Sequence, residues 1–180
     1  MTHLVVIGLM GMGKTTVGMR VAALLGRPFV DSDATIEAAT GRTVKQILAD
    51  NGVDTLRAAE AAALFDALAA DRPAVIGCAA GVVLDQANVD RIQAARDAGQ
   101  ARVVWLTGDP AVVGPRTRNR GHRPWLDGDP AEVLARMHAE RAATYAAIAD
   151  LTVDVTPEGR AGDPDATAAS IVTWLAGVAA

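Results

Sequence analysis

Residues 8–15 read Gly8-Leu9-Met10-Gly11-Met12-Gly13-Lys14-Thr15. The stretch meets every specified position of the pattern G-x-x-x-x-G-K-[ST], which is typical of a loop that wraps around phosphate groups. Glycine lets a backbone approach phosphate oxygens closely with its N–H groups turned inward, and a helix that follows such a loop directs its positive end towards the same oxygens. The stretch therefore predicts binding of a nucleoside triphosphate.

The segments on either side of this loop agree with that prediction. Leu4–Ile7 reads as a buried strand, and a helical stripe follows at Val17, Val21, Leu24 and Leu25. A chance glycine-rich turn would not require both flanking elements. In a P-loop, the lysine reaches the β- and γ-phosphates of ATP and the hydroxyl after it ligates Mg²⁺. The predicted nucleotide-binding residues are Gly8, Gly11, Met12, Gly13, Lys14, Thr15 and Thr16.

The rest of the chain alternates short apolar runs with helical patterns. The apolar runs are Leu4–Ile7, Pro28–Val30, Ala74–Ile76, Val103–Leu106 and Leu151–Val155. Strands that are apolar throughout and separated by helices indicate a parallel sheet with helices on both faces, a three-layer α/β fold. We find no linker, and residues 1–180 are predicted to form a single domain. Two polar loops interrupt the pattern, Thr117–Pro130 and Thr156–Pro164, and the first is rich in arginine.

Composition limits the class of protein. The chain has 180 residues, a formal net charge of −4 and one cysteine. The charge argues against a nucleic-acid partner, and the single cysteine excludes an internal disulfide and fits a reducing compartment. The longest apolar stretch, near residues 171–180, is too short to cross a bilayer. We expect a monomeric cytoplasmic protein without nucleic-acid or membrane partners, in which Cys78 is a buried residue at a strand end.

The second predicted strand ends in Asp31-Ser32-Asp33. The carboxyl edge of an open α/β sheet is where ligands bind, so these two acids have candidate roles. Asp31 could hold a water molecule on the Mg²⁺, and Asp33 could orient or deprotonate an acceptor hydroxyl. The same residues also suit an Asx turn or the N-cap of a helix that starts near Ala34. Because a P-loop precedes them, the functional interpretation is favoured.

These residues, together with later motifs, resemble the shikimate kinase family. The similarity covers nearly the whole chain and includes the segments Thr40-Gly41-Arg42, Leu56-Arg57-Ala58-Ala59-Glu60, Val103-Val104-Trp105-Leu106, Arg116-Thr117, Arg123-Pro124-Trp125-Leu126 and Arg141-Ala142-Ala143-Thr144-Tyr145. The resemblance implies a five-stranded parallel sheet in the order 2-3-1-4-5. It also implies transfer of the ATP γ-phosphate to a ring hydroxyl of shikimate, with ATP and Mg²⁺ as cofactors.

The resemblance also implies roles for single residues. Lys14, Asp33 and Arg116 would be catalytic, with Asp33 the candidate base and Arg116 in an arginine-rich lid at about 112–127. In an acceptor-binding region at about 33–62, Arg57 would clamp the substrate carboxylate together with Arg141, since a planar guanidinium donates two parallel hydrogen bonds. The further implied contacts are Ala80 and Gly81 on the substrate, Arg160 on the adenine side, and Thr15 and Asp31 on the metal. From the residues alone, Arg57 could equally form a surface ion pair with Glu60, and Arg141 could be an exposed helical residue.

The acceptor side departs from the family pattern. Ala79 and Ala80 stand where the family has glycines, and Leu48 and Leu56 stand where it usually has phenylalanines. The added methyl groups would narrow the pocket, and a positive φ at either alanine would cost about 1 kcal/mol or more. Two alternatives therefore stay open, namely a kinase for another small polyol or cyclic acid and a nucleotide-binding regulatory module without turnover.

Overall fold

The computed structural model describes residues 2–117 and 129–178, and of residue 116 it describes the backbone alone. Five strands and seven α-helices alternate in this part of the chain, with two short 3-10 turns at residues 82–84 and 157–159. The strands are β1 His3–Ile7, β2 Phe29–Asp31, β3 Val75–Gly77, β4 Ala101–Thr107 and β5 Leu151–Asp154. The helices are α1 Lys14–Leu25, α2 Ser32–Thr40, α3 Val44–Ala69, α4 Gln86–Asp97, α5 Pro110–Thr117, α6 Pro130–Ile148 and α7 Pro164–Val178.

The strands form one parallel sheet in the order β2-β3-β1-β4-β5. The predicted topology is therefore confirmed, and each predicted strand is present within one or two residues. β1 lies at the centre, where Val5 pairs with Ile76 of β3 on one side and with Val103 of β4 on the other. All five residues of β1 are buried, which explains why its sequence is apolar without alternation.

The helices lie on both faces of the sheet. Crossovers between parallel strands are right-handed. Helix α1 connects β1 to β2, in one direction across the sheet, whereas the later connections from β2 to β5 run in the opposite direction. Helix α1 therefore lies on one face, and the helices of the later connections lie on the other. The helix contacts agree with this division, because α1 packs on α7, while α4 packs on α3 and α6. The three layers predicted from the strand pattern are thus present.

A small second core lies within the segment 33–63, which overlaps the predicted acceptor-binding region. Ile36 of α2 packs with Ile47, Leu56 and Ala63 of α3. Helix α3 is broken at Gly52, whose φ of 80° and ψ of 175° lie outside helical geometry. The break lets the first half of α3 turn back towards α2 while the second half stays on the main core. Helices α2 and α3 therefore share a small core of their own.

The lid predicted at 112–127 lies partly outside the described residues. Residues 112–117 belong to α5, which packs on α6. Residues 118–127, which include most of the arginine-rich loop, are not among those that the structure describes. Within the described residues, no helix combines the length and the apolar character needed to cross a membrane.

Candidate active site

The P-loop connects β1 to α1 through three glycines with positive φ, Gly8 (138°), Gly11 (79°) and Gly13 (83°). Gly8 is required by close packing as well as by conformation, because a Cβ there would lie 2.3 Å from the carbonyl oxygen of Leu106. Gly13 is the N-cap residue of α1, and no side chain caps this helix. Because no side chain caps α1, the N–H groups of its first turn can bind an anion, as a phosphate-binding loop requires.

Lys14 is the first residue of α1, and its side chain turns back over the loop. Its Nζ donates a 3.0 Å hydrogen bond to the carbonyl oxygen of Leu9. The ammonium group therefore lies beside the loop that would hold the phosphates, and its charge can act on them.

Thr15 and Asp31 meet between α1 and the end of β2. Thr15 Oγ1 donates to Asp31 Oδ2 at 2.8 Å. The other carboxylate oxygen of Asp31 caps α2 by accepting from the backbone N–H groups of Asp33 at 3.0 Å and Ala34 at 3.3 Å. Helix α2 begins at Ser32, two residues earlier than the sequence pattern suggested. The capping interpretation is therefore correct for Asp31, and it leaves the second oxygen available beside Thr15.

The Thr15 hydroxyl oxygen and Asp31 Oδ2 form a suitable set of ligands for a hard divalent cation. Mg²⁺ prefers oxygen ligands and is usually held by one or two protein groups together with phosphate oxygens and water. A hydroxyl and a carboxylate in contact beside a phosphate-binding loop satisfy that preference. Both predicted metal-side residues are thus brought together.

One cavity of about 450 Å³ joins the P-loop to the predicted acceptor residues. Its lining includes the P-loop residues Gly11, Gly13, Lys14 and Thr15, and also Asp31 and Asp33. We call the remaining wall, which includes Leu48, Leu56, Arg57, Glu60, Ala79, Ala80, Gly81 and Arg141, the acceptor end. Groups that are up to 130 residues apart in sequence therefore face one space.

Arg57 lies over the backbone of Gly81. Its Nη1 pairs with Glu60 Oε2 at 2.5 Å, and the side chains of the two residues are 29% and 11% exposed. A Cβ at Gly81 would lie 2.0 Å from the same Nη1. The pair is thus part of the cavity wall and not a solvated surface ion pair, and glycine at position 81 makes room for the guanidinium.

Arg141 and Tyr145 of α6 both reach the Ala80 carbonyl. Arg141 Nη1 donates at 3.3 Å and the Tyr145 hydroxyl at 2.7 Å. Arg141 is 8% exposed, so the interpretation of an exposed helical residue is wrong. Burial raises the pKa of Tyr145 above its ordinary value, and the charge of Arg141 offsets part of that rise, so the hydroxyl keeps its proton and remains a donor.

Ala79 and Ala80 narrow the cavity without backbone strain. Neither has a positive φ; among the described residues, Glu158 is the single non-glycine residue that does. The conformational cost considered for these alanines is therefore absent. Their methyl groups, with Leu48 and Leu56, remain in the wall of the cavity.

Cys78 lies at the end of β3 and is buried, as predicted. Burial raises the pKa of its thiol to about 12; nearby Lys14 lowers it, and Asp31 raises it further. A thiol with such a pKa is neutral at physiological pH and has no nucleophilic function here.

Some predicted residues do not line the cavity. Gly8 packs on Leu106, and the Met12 side chain is buried in the main core, which leaves its backbone alone for nucleotide contact. Thr16 lies outside the cavity lining. Arg160 pairs with Glu158 on an exposed turn, away from the cavity. The side chain of Arg116 is outside the description, so its predicted role stays a prediction.

The structure also adds residues that sequence reasoning gave no role. Glu37 and Lys45 line the acceptor end of the cavity, and the Tyr145 hydroxyl secures its wall. A polar residue in a helix carries no local signal that it faces a cavity. Only the lysine count offered a hint, since Lys45 is the one lysine besides Lys14.

Comparison with known proteins agrees with this arrangement. The family model described as "Shikimate kinase" matches residues 10–176. This chain belongs to the shikimate kinase family. A shikimate kinase of Desulforudis audaxviator is 36% identical over 154 residues, covering 86% of this chain and 78% of the relative. A shikimate kinase of Paramagnetospirillum magneticum is 38% identical over 173 residues, covering 96% and 83%.

A solved structure of the family supports the same assignment. Shikimate kinase from Acinetobacter baumannii in complex with shikimate is similar with a TM-score of 0.86 and 28% sequence identity, and the match covers 98% of this chain and 94% of that chain. The predicted family and fold class are thereby confirmed.

Proposed function

We propose that this member of the shikimate kinase family transfers the γ-phosphoryl group of ATP to a ring hydroxyl of shikimate, which gives shikimate 3-phosphate. The observation that carries the proposal is that one cavity is lined by the P-loop, by Asp33 and by the two arginines Arg57 and Arg141. A phosphate donor and a hydroxylated carboxylate would meet at Asp33. The family membership and the similarity to a shikimate complex support shikimate as that carboxylate.

The donor side holds and polarises the triphosphate. The backbone N–H groups of the loop and the start of α1 bind phosphate oxygens, and Lys14 offsets the charge that gathers on the transferring group. Thr15 and Asp31 would hold Mg²⁺, which when bound neutralises phosphate charge. We also propose that Arg116 closes over the phosphates as part of the lid, and that Arg160 lies towards the adenine.

The acceptor side orients the hydroxyl. Arg57 and Arg141 would bind the substrate carboxylate, since each has guanidinium donors at the cavity wall. Asp33 would accept the hydroxyl proton as the hydroxyl oxygen bonds to the γ-phosphorus. The bond from that phosphorus to the bridging oxygen breaks, and ADP leaves with the electron pair.

A panel assay tests the proposal. ADP release is measured with shikimate, quinate, gluconate and nucleoside monophosphates, for the unchanged protein and for Asp33→Asn. We expect shikimate to give the highest kcat/KM and Asp33→Asn to lose activity towards every acceptor. Preference for another acceptor would support the alternative kinase, and absence of turnover throughout the panel would support a regulatory module.

One observation favours the alternative acceptor enough to keep it in the panel. Ala79, Ala80, Leu48 and Leu56 all line the acceptor end. Adding or removing one methyl group in the wall of a tight site changes the difference in binding free energy between two substrates by about 1–3 kcal/mol. The panel therefore includes acceptors other than shikimate.

We further propose that the protein acts as a cytoplasmic monomer without a nucleic-acid or membrane partner. The net charge of −4 and the single cysteine support this. Size-exclusion chromatography with light scattering tests the oligomeric state, for which we expect a mass close to 18.5 kDa.

A further inference from the structure

The carbonyl oxygen of Ala80 accepts two hydrogen bonds from α6. The Tyr145 hydroxyl donates at 2.7 Å, and Arg141 Nη1 donates at 3.3 Å. The first distance is that of a strong O–H···O bond, whereas the second lies beyond the usual range for an N–H···O bond. The two donors therefore share one acceptor unequally, and Tyr145 makes the shorter bond.

Arg141 is buried, and one of its donors lacks a hydrogen-bond partner in the part of the chain that the structure describes. Its side chain lines the cavity, and its Nε is a buried atom without a hydrogen-bond partner among the described residues. A guanidinium has five N–H donors, and a buried donor without a partner costs about 1–3 kcal/mol. This arrangement suits a residue that completes its hydrogen bonds with an anionic ligand.

Tyr145 is held rigidly, in contrast to Arg141. It is fully buried, and its ring stacks on Trp105 with centroids 5.7 Å apart and planes at 21°. Trp105 stacks in turn on His138 at 5.9 Å, and His138 Nε2 lies 3.3 Å from Thr107 Oγ1. The hydroxyl of Tyr145 therefore has a fixed position relative to β4, from which it reaches the Ala80 carbonyl.

We infer that Tyr145 is a positioning residue which keeps the Ala80 carbonyl hydrogen-bonded and thereby allows Arg141 to turn its Nη1 towards the acceptor carboxylate. The inference rests on the proposed function. The Ala80 carbonyl lies in a part-buried wall of the cavity, and leaving it without a donor would cost free energy. Arg141 therefore leaves Ala80 at a lower cost when another donor stays. Tyr145 is that donor, and the same bond fixes the loop that carries Ala79 and Ala80.

The first test is Tyr145→Phe, which keeps the stacked ring and removes the hydroxyl. We expect the KM for shikimate to rise about tenfold, while the KM for ATP changes less than twofold. Ile148→Val is the matched control, since Ile148 is fully buried three residues further along α6 and is not among the residues that line the cavity. The control should leave both KM values unchanged.

The second test separates positioning from a general structural role. Shikimate affinity and unfolding midpoint are measured by calorimetry for Tyr145→Phe, Arg141→Met and the double variant. In the Arg141→Met background, no guanidinium has to leave Ala80, so Tyr145→Phe should not weaken shikimate binding further. The unfolding midpoint should behave differently. Its fall in the double variant should exceed the sum of the falls in the two single variants, because the carbonyl keeps one donor in each single variant and loses both in the double variant.

Two results would overturn the inference. One is an unchanged shikimate KM in Tyr145→Phe, and the other is an additive loss of shikimate affinity in the double variant. Failure of the proposed function has a different signature, namely an unchanged protein that binds no shikimate. The cycle is then measured with the acceptor that the panel identifies, and the same two results would again decide against Tyr145.

Discussion

Thr15 Oγ1 donates a 2.8 Å hydrogen bond to Asp31 Oδ2, so the first turn of α1 and the end of β2 meet at one pair of oxygen atoms. The same carboxylate caps α2 with its other oxygen. Each oxygen of Asp31 thus makes its own contact, one with Thr15 and one with the start of α2, and a substitution can be chosen that preserves the second contact.

Asp31→Asn should weaken the metal site and preserve the helix cap. An asparagine oxygen still accepts from the N–H groups of α2, but the negative charge is lost. We expect the Mg²⁺ concentration for half-maximal activity to rise about 10- to 100-fold with little change in the melting temperature. Magnesium titration of the ADP-release assay measures this. Asp165→Asn, which changes an exposed ion pair with Arg20, is the control and should leave the titration unchanged.

Lys14→Ala should abolish phosphoryl transfer with the fold intact. The substitution removes the charge next to the P-loop, and loss of one such group typically lowers kcat by a factor of about 10²–10³. Steady-state kinetics give the rate, and circular dichroism during heating reports the fold. A kcat near that of the unchanged protein, with ATP still required, would contradict the role of this lysine.

Gly81→Ala should displace Arg57. The new Cβ would lie 2.0 Å from Arg57 Nη1, so the guanidinium must move from its place between Gly81 and Glu60. We expect the KM for shikimate to rise about tenfold or more, since a clamp on the carboxylate is misplaced, while the KM for ATP is unaffected. Gly177→Ala is the matched control, because nothing lies within 4 Å of a Cβ there. Equal KM values in both variants would show that Arg57 has no part in acceptor binding.

Ala79→Gly with Ala80→Gly should relax the choice of acceptor. The change removes two methyl groups from the cavity wall, and neither alanine has a positive φ that glycine would relieve. We expect the ratio of kcat/KM for shikimate to that for quinate to fall, within the 10–200-fold range that a methyl group can provide. ATP affinity should be unchanged. A constant ratio across the panel would mean that these methyl groups do not select the acceptor.

The buried thiol should make the protein less stable at high pH. The pKa of Cys78 is raised from 9.0 to about 12, chiefly by burial, so between these values the thiol ionises in the unfolded chain but not in the folded one. The free energy of unfolding should therefore fall as pH rises above 9, by at most about 1.4 kcal/mol per pH unit. Urea unfolding at pH 8 and pH 10 measures this, and Cys78→Ala should show a smaller fall. Identical pH dependence of the two proteins would contradict the shift.

The fold was predictable because its determinants are local. Each strand is a short apolar run, and the P-loop residues are contiguous, so the sequence alone places β1, the loop and α1 in order. The strand order came from the resemblance and not from periodicity. The start of α2 was placed two residues late, because Asp31 and Asp33 both suit an N-cap and only the Asp31 side chain is in position to act as one.

The acceptor side was predictable in part. Asp33 was identified from its place at the end of the second predicted strand, and Arg57 and Arg141 through the family resemblance. The structure brings all three to one cavity. The burial of Arg141 could not be derived locally, because its partner at Ala80 is 61 residues away in sequence. The hydrogen bond between Tyr145 and Ala80 could not be derived locally for the same reason. The backbone angles of Ala79 and Ala80 could not be derived either, because they depend on the path of the chain after β3.

The common direction of the strands also determines where the molecule can be modified without loss of activity. Every strand ends at the edge that carries the cavity, so every strand starts at the opposite edge. There, His3 accepts from the N–H of Ala74 through Nδ1 and contacts the carbonyl of Ala70 through Nε2, which closes that edge with structural bonds. A purification tag, dye or surface linker joined ahead of Thr2 would lie a full strand length away from the cavity and leave its mouth open to ATP and acceptor.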